Sequence, residues 1–143
     1  RHCRFLIRTH GMQHLRPVAQ LARHFDLKVS LNPPLHLEEF VAQSDIIITQ
    51  NSTAALVPLI AHKPTILLDS WFPFLDEGLI KSNPAFLKVK NISQLPKLID
   101  VIVSGKINRQ LLSKKQDRFI HQFCGPLNTQ AGKNIAKQIS HLI

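Results

Sequence analysis

Polar residues and prolines divide the chain into short apolar runs, and the spacing inside each run predicts an element. RFLIR at residues 4 to 8 has the length and composition of a short buried strand, closed by His10-Gly11. Residues 15 to 25 then place Leu15, Val18, Ala19, Leu21, Ala22 and Phe25 at helical spacing. KVSL at 28 to 31 predicts a second strand, ended by Asn32-Pro33-Pro34, and HLEEFVAQ at 36 to 43 predicts a short amphipathic helix before Ser44-Asp45.

The next stretch is the most apolar. IIIT at 46 to 49 is almost wholly β-branched, as expected of a strand covered on both faces, so it is expected to be central in the sheet. Asn51, Ser52 and Thr53 are N-cap types and open a run, 54 to 61, with no polar residue, which predicts a buried helix. Lys63-Pro64 stops that helix, and TILL at 65 to 68 gives the next strand, ending at Asp69. FLKV at 86 to 89 is the last strand, followed by helical patterns over 91 to 104, 108 to 123 and 129 to 143. Strands alternating with helices predict an α/β fold: a Rossmann-like, doubly wound parallel sheet of about five strands with C-terminal helices.

Length and composition narrow the class. A chain of 143 residues, 44% hydrophobic, has the size of one domain with a real core, so 1 to 143 is taken as a single domain. It starts at Arg1 with a strand almost at once, and it reads as a piece of a longer protein. Each hydrophobic stretch is broken within about ten residues, too short to span a bilayer. Cys3 and Cys124 are far apart and give neither a disulfide framework nor metal-ligand spacing. The eight histidines are scattered without a paired-ligand pattern, so no metal and no cofactor is expected.

A net charge of +9 calls for anionic partners. The basic residues are dispersed, and one Trp with no Tyr leaves little to stack bases on, which disfavours nucleic acid and favours phosphorylated ligands or an anionic membrane surface.

In an open parallel sheet, ligands bind beyond the carboxyl ends of the strands. Three polar turns fall there: Arg8-Thr9-His10-Gly11, Gln50-Asn51-Ser52-Thr53 and Asp69-Ser70-Trp71. The middle one opens a helix, whose unpaired N–H groups and partial positive charge suit a phosphate, with Ser52 and Thr53 adding hydroxyl donors. The plainer alternative is that Asn51, Ser52 and Thr53 only cap the helix. His10 suits a phosphate donor or an acid–base group, or else a simple turn residue before Gly11. The aromatic group Trp71, Phe72 and Phe74 reads as packing before it reads as a stacking platform.

Residues 44 to 68, SDIIITQNSTAALVPLIAHKPTILL, resemble the donor-binding segment of GT-B-fold glycosyltransferases, of surface or capsular polysaccharide enzymes, and of nucleotide-sugar 2-epimerases. The shared pattern is a strand, a Ser/Thr turn, a small-residue helix and a Lys-Pro step into the next strand. Arg8 with His10, and Gly125-Pro126-Leu127 followed by Ile135-Ala136, extend the likeness to the flanks. The resemblance implies one half of a GT-B fold, with the diphosphate of a nucleotide-sugar held by Asn51, Ser52 and Thr53, assisted by Arg8 and by His10 as the catalytic group, and with the loop 71 to 78 facing the nucleotide or sugar. It implies a cytoplasmic enzyme at or near the inner membrane, whose acceptor domain lies N-terminal to this chain. Relatives often carry a Glu in the helix for the ribose. Here Val57-Pro58 stand in that helix, and Pro58 kinks it unless the helix begins late enough to place Pro58 in its first turn; Asp76 and Glu77 are candidates to replace the carboxylate from the following loop, or else a solvated turn before Gly78. An epimerase domain, or a non-catalytic Rossmann-like interaction module, is the alternative.

Overall fold

The computed structural model describes residues 4–9, 15–31, 33–50, 53–68 and 83–125. The chain forms two compact units, Arg1–Ser44 and Asp45–Ile143. Both are α/β, and every described strand pairing is parallel.

In the first unit, β1 (Phe5–Ile7) lies beside β2 (Val29–Leu31), with Phe5 opposite Val29 and Ile7 opposite Leu31. Between them runs α1 (Leu15–His24), packed against β2, and after them comes α2 (Leu37–Ala42). α1 ends in a Schellman cap: Asp26 donates its N–H to Arg23 O at 3.2 Å and Leu27 to Ala22 O at 2.8 Å. Asp26 takes the left-handed position usually given to glycine, with φ 48°. At the start of α2 the His36 N–H donates to Glu39 Oε2 at 3.0 Å, while Glu38 and Glu39 place negative charge on the first turn.

The second unit is built on a sheet ordered β3 (Ile47–Thr49), β4 (Thr65–Leu68), β5 (Leu87–Val89). A 3-10 turn at Thr53–Ala55 and α3 (Leu56–Ile60) connect β3 to β4. A 3-10 turn at Ile92–Gln94, α4 (Leu95–Val103) and α5 (Arg109–Cys124) follow β5. Because side chains alternate along a strand, β4 serves two cores. Leu67 packs with Ala55, Leu59, Phe86, Phe119 and Ile120 beneath α3 and α5. Ile66 and Val89 pack with Ile102 of α4 on the other face. Phe119 meets Phe86 edge-on at 5.6 Å and stacks on Phe123 at 5.5 Å.

The strand expected at residues 46 to 49 is present as β3. Among the described residues β3 pairs only with β4, and β4 holds the middle of its sheet. Ile48 is opposite Ile66 in the register, yet Ile66 is fully buried and Ile48 is 42% exposed. On that face the core of Ile66, Val89 and Ile102 is flanked by Ile46, just ahead of β3. The strands also form a two-stranded and a three-stranded sheet instead of one recorded ladder of five. The helical pattern expected over 129 to 143 lies outside the described residues.

The run 54 to 61 is a 3-10 turn and a short α-helix, not one long buried helix, and Ile60 and Ala61 are exposed. Pro58 explains the late start. An α-helix beginning at residue 53 would need an N–H from residue 58 onto the carbonyl of residue 54, which proline cannot give. With α3 starting at Leu56, Pro58 sits in the first turn, where N–H groups have no partner inside the helix.

At the far end of α3, Gln116 and Asp117 of α5 grip the turn into β4. Gln116 donates Nε2–H to Lys63 O at 2.9 Å, and His62 meets Asp117 at 2.7 Å. His62 is another residue in the left-handed position of a Schellman cap, with φ 52°, and its N–H bonds Leu59 O while Lys63 N–H bonds Pro58 O.

Phe119→Ala is expected to cost about 3–5 kcal/mol, because it opens a cavity where α5 meets both Phe86 and the β4 core. Leu111→Ala, on the exposed side of the same helix, is expected to stay within about 1 kcal/mol of the parent protein. Urea unfolding of the two variants measures the difference.

Candidate functional site

Parallel pairing brings the carboxyl ends of neighbouring strands to one edge of each sheet. In the second unit that edge carries Thr49-Gln50 after β3 and Lys90-Asn91 after β5. Strands lie side by side at roughly 4.8 Å, so the ends of β3 and β5 stand roughly 10 Å apart.

Among the described residues two helical segments start on this edge, each as a 3-10 turn that runs into an α-helix. The turn after β5 is capped: Asn91 Oδ1 accepts from Ser93 N–H at 3.0 Å, and Asn91 N–H donates to Gln94 Oε1 at 3.4 Å. The α-helices themselves begin alike, at Ala55 for α3 and Gln94 for α4, neither with a side-chain cap hydrogen bond. Thr49 Oγ1 donates to Gln50 O at 3.0 Å and is taken up in shaping the turn.

Thr53, for which capping with Asn51 and Ser52 is the plainer alternative, has its backbone in the 3-10 turn, one turn ahead of α3, for the reason given by Pro58. Asn51 and Ser52 lie outside the described residues, as do His10, Asp76, Glu77 and the aromatic group at 71 to 74. Arg8 is described, at the carboxyl end of β1 in the first unit. It is exposed and donates from its guanidinium to Leu35 O at 2.8 Å, so part of its fork secures the β2–α2 loop.

Lys90 was missed by sequence reasoning. It is exposed and follows a strand on the same edge as Gln50. The rule that selected 50 to 53, a polar turn at a strand's carboxyl end, applies equally to Lys90-Asn91, and the signal was hidden because Asn91 reads as the start of a helix. His62 and Asp117 sit at the opposite, amino-terminal edge, where the pair fastens α5 to the α3–β4 turn. Among the described residues no three His, Cys, Asp or Glu side chains gather in a way that could hold a metal ion.

No family model, no curated protein and no solved structure matches the chain.

Arg8→Ala is expected to loosen the loop that Arg8 holds without unfolding the protein. Hydrogen exchange should speed up several-fold at Leu35 and its neighbours, while the melting transition changes by less than about 1 kcal/mol. Unchanged exchange at Leu35 would show that the guanidinium contact is not maintained in solution.

Proposed function

We propose that the chain is a Rossmann-like, doubly wound domain that forms the donor-binding half of a glycosyltransferase acting on a surface polysaccharide or other glycan. The observation that carries this reading is the parallel β3–α3–β4 crossover, whose first turn leaves the carboxyl end of β3 and enters α3 without a side-chain cap at Ala55. Backbone N–H groups at such a turn favour a phosphate, and no glycine-rich loop is needed for it. The donor diphosphate lies across residues 51 to 54, and Lys90 supplies a cation at the other side of the same edge. Asp76 and Glu77 are the proposed carboxylates of that site, while Arg8 and His10 belong to the first unit, where His10 is the candidate acid–base or phosphate-donating group.

The chemical task is stabilisation of the nucleoside diphosphate as it departs with the glycosidic bond's electrons. Oriented N–H groups and a lysine ammonium supply that electrostatically. The acceptor and the remaining catalytic groups belong to a separate domain that closes over the donor. No described helix is long and apolar enough to cross a membrane.

NMR titration of the whole chain with UDP or GDP should move the amides of residues 53 to 55 and 90 to 91, and the parent nucleosides should bind far less well. Lys90→Gln should weaken diphosphate binding about fivefold, and added salt should weaken it further. Equal binding of nucleoside and diphosphate, or shifts confined to residues away from this edge, would exclude the donor site and leave the plain capping role. Sugar transfer by the chain alone would exclude the need for a separate catalytic domain.

A further inference from the structure

In the first unit β2 leaves one edge of its sheet open, on residues that the donor proposal does not use. Among the described residues β2 pairs only with β1. Phe5 stands opposite Val29, and its N–H donates to Lys28 O at 3.4 Å. In a parallel ladder such a residue bonds the neighbours on either side of the one it faces, so Lys28 and Ser30 turn their backbone groups toward β1. Val29 and Leu31 therefore turn their N–H and C=O groups outward, along the open edge.

The side chains of the same two residues line a groove. It is open, holds about 290 Å³, and is completed by Ala19, Ala22 and Arg23 of α1 and by Leu27 ahead of β2. No residue of β1 lines it, so it opens on the outer side of β2. Ala19, Ala22, Val29 and Leu31 are only half-buried, and Leu27 is 46% exposed, which leaves apolar surface directly beside outward-turned backbone groups.

Charge around the groove is uneven. Arg23 lines its rim, and Lys28, one residue ahead of Val29, falls on the opposite face of the strand by the alternation of side chains. Asp26 is the one acid between Leu15 and Leu31. Among the described residues neither Arg23 nor Lys28 has an ion-pair partner.

We infer that β2 is a docking edge that takes up an extended segment of another protein, with apolar and acidic residues in alternation, as an added strand. Strand addition gains affinity from main-chain bonds and selectivity from side chains that alternate between two faces. The added backbone bonds Val29 and Leu31. Its apolar row fills the groove, while its acids meet Lys28 on the other face and Arg23 at the rim. A second copy of this chain is the poorer occupant, because it brings the same Arg23 and Lys28 to the seam and each copy carries +9.

The test uses the whole chain and short fluorescein-labelled peptides, read by fluorescence polarisation. A peptide alternating valine with glutamate is expected to bind, and its valine–lysine counterpart to bind about tenfold more weakly or less. Methylating the backbone nitrogens of the first peptide removes the donors that an added strand needs and should abolish binding. In the protein, Val29→Pro removes an outward N–H without touching the ladder to β1, and should lower affinity about tenfold. Arg23→Glu should lower it about fivefold and strengthen binding of the lysine peptide. Circular dichroism checks that both variants are folded, and the methylated peptide tests the edge without any substitution. Amide exchange at Val29 and Leu31 should slow when the glutamate peptide is bound. No binding of that peptide, equal binding of the lysine or methylated peptide, or unchanged exchange at Val29 and Leu31 would overturn the proposal. So would self-association of the free chain that Val29→Pro abolishes, which would assign the edge to a second copy.

Discussion

Strand β4 sends Ile66 toward α4 and Leu67 toward α3 and α5, and both side chains are almost wholly removed from water. Each such burial is worth roughly 1.5–3 kcal/mol, but the geometric consequence is larger than the sum. A three-residue or four-residue strand cannot hold its place by ladder hydrogen bonds alone, so β4 stays where it is because helices close on both of its faces. β3 and β5 then align on it, and the parallel register decides which turns share an edge.

The same constraint shapes the amino-terminal edge. Thr65 and Gln116 are fully buried, and both donate to the Lys63 carbonyl, at 3.0 Å and 2.9 Å. Burying an amide is unfavourable unless it is paired, so Gln116 fixes the position of α5 along the turn as well as its distance from it. The Gln116 Oε1 atom, buried without a partner among the described residues, is the cost of that placement. His62 accepts a left-handed backbone next to this grip, and its contact with Asp117 is solvent-facing on both sides, so it adds little energy of its own.

At the carboxyl edge the controlling residue is Pro58. By delaying α3 it inserts a 3-10 turn between β3 and the helix, so the backbone donors nearest the strand belong to a turn with looser geometry than an α-helical N-terminus. A phosphate held there is held by a few N–H groups and by neighbouring cations, more than by a helix dipole, because α3 is only five residues long. That shifts the weight of the proposed site toward side chains such as Lys90.

Local pattern was enough to locate most elements, because hydrophobic period and stop residues act within a few positions of each other. The strands at 5–7, 29–31, 47–49, 65–68 and 87–89 fall inside the runs that the sequence marks out, and the helices up to residue 124 do so to within one residue. The parallel α/β class follows from their alternation. Strand order did not follow, since IIIT at 46 to 49 and TILL at 65 to 68 are equally apolar, and only the structure shows Ile66 buried and its register partner Ile48 exposed. The site was legible as a rule about strand ends, which found the turn at 50 to 53. Lys90 joined it only when pairing put β5 on the same edge, and the open edge of β2 became visible only when pairing with β1 fixed which backbone groups turn outward. Period and composition report what a segment can bury. Which part of it is buried depends on a partner distant in the chain.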